Sequence, residues 1–146
     1  MKELFCTVTG VIGSLVASLF GGWTTGLTTL VIFMGIDYIT GLLCAGVFRN
    51  SKKTDTGGLE SGACFKGLIR KSVMLLIVLV AFRLDLLIGA NYIKDCVCIA
   101  FSANELISIV ENAGLMGVPV PAVISNAIDA LKKKESEIND GHKDEE

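Results

Sequence analysis

"GLTTLVIFMGIDYITGLLCAGVF", residues 26–48, is a run of hydrocarbon with one acid, Asp37, near its middle. Asp37 is the single charge between Glu3 and Arg49. A second apolar run precedes it, "LFCTVTGVIGSLVASLFGGW", residues 4–23. As a helix that run is about 30 Å long, the thickness of a bilayer's hydrocarbon core. It is long for a signal peptide, and no clear small-residue cleavage site follows it. "GGWTT", 21–25, separates the two runs: Gly-Gly suits a tight turn and Trp23 a headgroup interface. The two runs are therefore expected to form a helical hairpin.

Working outward, residues 49–71 change character, with six cations against two acids and a glycine-rich stretch, "DTGGLESG", that reads as a flexible loop. A third apolar run, 72–90, holds Arg83 and Asp85. After a polar break, "NYIKD", a fourth and weaker run, 96–118, carries Glu105 and Glu111. Then "PVPAVISNAIDALKKK", 119–134, places Val120, Val123, Ile124, Ala127, Ile128 and Leu131 on one helical face, with three lysines behind them. That pattern suits an amphipathic helix lying in a membrane interface, or one docked against the protein's own loop. The charged end, 135–146, reads as a disordered tail.

These runs predict an all-α, polytopic membrane protein. Residues 1–118 form four transmembrane helices, 119–134 an interfacial helix, and 135–146 a tail. A three-span arrangement is the alternative. Half of the 146 residues are apolar and the mean hydropathy is +0.61. With four spans, eleven of thirteen Lys and Arg fall on the side that holds both termini and the 49–71 loop. Cytoplasmic segments collect cations, so both termini are expected inside.

Charges inside the spans need partners, since an unpaired one costs at least about 2.5–3.5 kcal/mol at mid-membrane. Asp37 lies twelve residues before Arg49, and Arg83 twelve after Lys71, which predicts that Asp37 and Arg83 meet at one depth. Asp85 points about 200° away from Arg83 on a helix and needs another partner. Asn104, Glu105, a second subunit or pore water are the candidates.

Small residues give a second signal. Gly10, Ser14, Ser18 and Gly22 recur every four residues, beside a row of Gly13, Ala17 and Gly21. Gly41 and Ala45 repeat the spacing on the Asp37 stripe. Such rows let helix backbones approach closely, within one subunit or between subunits. The five cysteines lack metal-ligand spacing, and no catalytic or phosphate-binding motif occurs. The residues thus imply no enzyme, metal or cofactor. A net charge of −2 argues against nucleic acid, and the basic loop suits anionic lipid.

Three stretches, "DYITGLLCAG" (37–46), "FKGLIRKSVMLLIVLVAFRLD" (65–85) and "ANELISIVENAGLMGVPVP" (103–121), resemble the toxin-secretion/phage-lysis holin family. Order and spacing match over most of 31–125. The matching positions are Asp37, Gly41, Gly67, Lys71, Asp85, Glu105, Ser108, Asn112, Gly117, Pro119 and Pro121; Arg83 is not among them. The resemblance implies a small protein that oligomerises in the inner membrane and opens lesions. An endolysin or a secreted toxin leaves through them, and an antiholin can restrain them. Two other readings of the residues stand beside it. One is a small channel or transporter using Asp37 and Asp85 as a proton or cation site. The other is a structural membrane subunit that needs a partner chain.

Overall fold

The computed structural model describes residues 1–53 and 55–140, and the described residues are helical with no strand. Five helices follow in order: α1 (Lys2–Leu19), α2 (Thr25–Gly46), α3 (Ser61–Ile88), α4 (Ile93–Leu115) and α5 (Ala122–Asp140). α1 and α2 are long and apolar enough to cross a membrane. α3 and α4 carry more charge: Lys71, Arg83 and Asp85 in one, Lys94, Asp95, Glu105 and Glu111 in the other. The four expected runs all become helices, but only α1 and α2 meet that membrane-crossing standard, and they do not pack together as the expected hairpin.

The connections follow from local chemistry. Gly21 and Gly22 take left-handed backbone (φ +73° and +89°) between α1 and α2. Thr24 then caps α2, its hydroxyl accepting from the Leu27 amide at 3.3 Å. Gly89 closes α3 in the left-handed conformation, and Gly117 turns the chain after α4 at φ +77°. Pro119 and Pro121, which cannot extend α4, bring the chain to the start of α5.

The first correction concerns α3. It starts at Ser61, eleven residues ahead of the expected 72, so "SGACFKGLIRK" is helix rather than loop. Sequence patterning favoured the apolar portion because Lys66, Arg70 and Lys71 dilute the signal of the first three turns. The second concerns packing. α2 and α3 do not form the main antiparallel pair; α4 packs between them, extensively on α2 and then on α3. Small side chains allow this. A Cβ built on Gly26 of α2 would stand 3.4 Å from the Cβ of Cys98 on α4.

The core is a stripe from each helix at steps of three and four. α2 buries Leu27, Leu30, Met34, Asp37 and Cys44; α3 buries Met74, Val78, Ala81 and Asp85. α4 buries Lys94, Cys98, Ser102, Glu105 and Asn112. Cys98 joins the apolar cluster of Leu27, Leu30, Met34, Met74 and Val78, so this thiol is used as a small apolar group. Ionic residues sit on the same stripes as the hydrocarbon, which sets up the site described below.

α1 stands apart, with no buried residue. α5 turns back beside α4 and buries Ile128, while Val123 stays 76% exposed. Its Lys134 comes to border a surface pocket with Thr24, Tyr92 and Asp95, near the start of α4. In the single chain α5 therefore lies along α4. It also runs past 134 to Asp140, with Lys133 and Glu137 3.9 Å apart one turn along. The rest of the expected tail, 141–146, lies outside the described residues.

Candidate functional site

Counting along the helices brings three charges to one height. Asp37 lies nine residues before the end of α2, Lys71 ten after the start of α3, and Glu105 ten before the end of α4. At 1.5 Å per residue each is about 14–15 Å from the same end of the bundle. The structure joins them. Lys71 Nζ donates to Asp37 Oδ2 at 2.8 Å and also to Glu105 Oε2. All three side chains are nearly out of solvent: Lys71 is 13% exposed, Asp37 7% and Glu105 5%.

The rest of the cluster satisfies the remaining lone pairs. Asn112 Nδ2 donates to Asp37 Oδ1 (3.2 Å) and to Thr40 Oγ1 (3.1 Å). Lys53, from the connection between α2 and α3, donates to Ser108 Oγ at 3.2 Å and stands 3.6 Å from Asp37 Oδ1. Two lysines therefore face two carboxylates, and the group is formally neutral. Among the described residues no buried side-chain polar atom is left without a partner. Removing one member of such a buried pair costs about 3–5 kcal/mol, because the other charge is stranded. The cluster thus ties α2, α3 and α4 together at one level.

An open cleft of about 610 Å³ leads to it, lined by Lys53, Lys66, Arg70, Asn104, Ser108 and Glu111 among others. Glu111, a candidate buried acid in the sequence, is exposed at this rim. A smaller gap between α2 and α3 is walled by Gly41, Ala45, Ala63 and Gly67, with Asp37 and Lys71 at its polar end. Gly41 also leaves room for Asn112, whose Nδ2 would be 3.7 Å from an added Cβ.

The predicted Asp37–Arg83 pair does not form: Arg83 is exposed. It lies two residues from Ala81 and two from Asp85, so it is off the buried stripe of α3. Asp85 has a partner that was not among its candidates. Its carboxylate accepts from the Ile93 amide (3.0 Å) and the Lys94 amide (2.9 Å), at the start of α4. The first amides of a helix lack internal acceptors and carry the positive end of the dipole, which is where a carboxylate is favoured.

Lys94 completes this second, opposite end. Its side chain is buried, donates to the Phe20 carbonyl at the end of α1 (2.9 Å), and lies 5.1 Å from the centre of the Phe82 ring. Gly21 packs on the same ring: an added Cβ would come within 2.5 Å of two ring carbons. Of the small residues in α1, Gly10 and Gly13 have open space around them, Ser14 and Ser18 are exposed, and Ala17 is half-buried. Ser18 turns its hydroxyl back to the Leu15 carbonyl at 2.7 Å.

Sequence reasoning missed Thr40, Lys53, Phe82 and Lys94. Thr40 was readable, one turn from Asp37 on the same stripe. Lys94 read as a flanking cation because the start of α4 was placed too late, and Lys53 because nothing in the sequence shows the connection turning back onto α2 and α4. The match positions other than Asp85, by contrast, converge. Asp37, Lys71, Glu105, Ser108 and Asn112 form one network, Gly41 and Gly67 line its walls, and Gly117, Pro119 and Pro121 make the turn beneath α4.

Residues 14–133 match the bacteriophage holin family. The chain belongs to that family. Among its relatives, a probable holin of Bacillus phage phi105 is 31% identical over 107 residues, 73% of each chain. An uncharacterised protein of Halalkalibacterium halodurans is 37% identical over 142 residues, 93% of this chain and 99% of the relative. One from Listeria monocytogenes is 37% identical over 131 residues, 89% and 88%. No solved structure matches the chain. Holin-family membership and the two apolar helices together point to the membrane.

Proposed function

We propose that this chain acts as a phage-type holin. It inserts in the inner membrane, self-assembles, and opens lesions through which an endolysin or another large protein cargo leaves. The observation that carries this reading is the state of α1 in a holin-family chain. It is an apolar helix of 18 residues that buries none of them, with open space at Gly10 and Gly13. Lipid and other copies of the chain are what such a surface is built to meet.

In the proposed arrangement α1 to α4 each cross the bilayer, and the neutral cluster of Asp37, Glu105, Lys53 and Lys71 lets the two more polar helices do so. The six cations of residues 49–71 support a cytoplasmic position for that end. In the single chain α5 packs along α4 and buries Ile128 there. In a bilayer its Lys132, Lys133 and Lys134 are proposed to lie at the cytoplasmic surface among anionic headgroups. The protein needs no cofactor or metal and performs no catalysis. Antiholin control and a toxin cargo remain part of the family expectation.

Induced expression in a bacterium together with an endolysin tests this. The expected result is growth for a set interval, then abrupt loss of membrane potential and lysis. Continued growth with the protein accumulated in the membrane would reject the holin reading. Ion-coupled solute uptake under those conditions would favour a transporter.

A further inference from the structure

Lys53 differs from every other member of the polar cluster. It comes from a connection rather than a helix, and its side chain is 52% exposed, whereas the ions that it meets are buried. Nonetheless it is seated by chemistry on two sides: Ser108 Oγ of α4 at 3.2 Å and Asp37 Oδ1 of α2 at 3.6 Å. Three residues earlier, Asn50 Nδ2 donates to the Leu115 carbonyl at the end of α4, at 3.1 Å. Residues 50–53 are thus pinned to α4 at both ends, one pin on a helix terminus and one on the ionic core.

The charge count gives this pin its consequence. With Lys53 seated, two cations face Asp37 and Glu105. With Lys53 withdrawn into solvent, Lys71 alone faces both acids, and the interface of α2, α3 and α4 holds one uncompensated negative charge. Lys52 next door has the same charge but is fully exposed and makes no contact with the cluster.

We propose that Lys53 is the removable counter-ion of the buried cluster. Seated, it neutralises the cluster and holds α4 on α2; withdrawn, it loosens that interface and frees α4 to move. Lys53 is a positioning residue, acting through Asp37 and Ser108. As a fold lock the proposal stands on the geometry alone; as a brake on lesion formation it rests on the holin reading.

Four variants of the full chain test it: Lys53→Met, Lys53→Arg, Lys52→Met, and Lys53→Met combined with Glu105→Gln. The double variant removes one cation and one acid, restoring neutrality while keeping an acceptor for Lys71. The first readout is hydrogen exchange of residues 104–116 in detergent. Lys53→Met should raise it about tenfold, the worth of one hydrogen-bonded charge. Lys52→Met and Lys53→Arg should leave it unchanged, and the double variant should bring it back. The second readout is the delay before the membrane potential collapses in induced cells, which should shorten in Lys53→Met alone.

Unchanged exchange in Lys53→Met overturns the proposal, as does an equal rise in Lys52→Met or no recovery in the double variant. If exchange behaves as expected but the unaltered chain never collapses the potential, the lock stands and the holin reading fails. If exchange behaves and the delay is the same in all variants, the braking role is overturned.

Discussion

Replacing Lys71 by Met should cost more than any other single change in the buried core. Methionine keeps the unbranched stem, so packing along α3 is largely retained while the ammonium group is lost. What is lost is the cation between Asp37 and Glu105, both under 10% exposed, so water offers little screening. Breaking a buried ion pair by deleting one partner costs about 3–5 kcal/mol. For a chain of this size 1 kcal/mol shifts the melting temperature by about 2–4 °C, so the expected drop is about 6–20 °C. Thermal unfolding of the detergent-solubilised protein measures it. The triple variant Lys71→Met, Asp37→Asn, Glu105→Gln should recover most of the loss, since the one charge left, Lys53, is 52% exposed and can turn to solvent. A drop worth under about 1 kcal/mol, the value of an exposed pair, would refute the buried-cluster reasoning. So would a triple variant no more stable than the single one.

Three further outcomes follow from the geometry. Gly21→Ala combines a left-handed backbone with a Cβ 2.5 Å from the Phe82 ring, so it should destabilise by about 1–3 kcal/mol in the same melting assay. Adding Phe82→Leu should relieve the overlap but not the backbone strain, giving partial recovery. Asp85→Ala removes the acceptor for the first two amides of α4 and should cost about 0.5–2 kcal/mol, whereas Arg83→Ala, on the exposed side of α3, should change the melting temperature little. With the five native cysteines replaced, a cysteine at position 134 should react with an impermeant thiol reagent from the cytoplasmic face. Labelling from the outer face would show that α5 stays folded along α4 in the membrane.

Much of this arrangement was legible in the sequence. The division of α1 from α2 follows from two apolar runs parted by Gly21-Gly22, and the core stripes follow from spacing of three and four; the expected packing of α1 on α2 as a hairpin does not occur, since α1 buries no residue. The spacing match to holins picked out Asp37, Lys71, Glu105, Ser108 and Asn112 before any of them had a known partner. What failed was the choice of partners. Placing the start of α3 at 72 instead of 61 turned Lys71 from a residue ten positions inside a helix into a marker of its edge. Arg83 then became the only cation deep enough for Asp37. Depth without helical phase was the fault, because position 83 is off the stripe that runs through 74, 78, 81 and 85. The Asp85 cap was not legible, because it depends on how the short turn at 89–92 aims α4 back at the end of α3. Nor was the central place of α4, since its polar residues read as a weak span rather than as the contact surface of the bundle.

The central claim is that α1, uncovered in one chain, is covered by lipid and by other copies in a membrane that the assembly then breaches. Recording membrane potential in single induced cells while crosslinking samples over time tests both parts at once. The account predicts that crosslinked oligomers build up while the potential holds, followed by sudden collapse. A membrane-inserted chain that stays monomeric, with the potential intact at full accumulation, would contradict it.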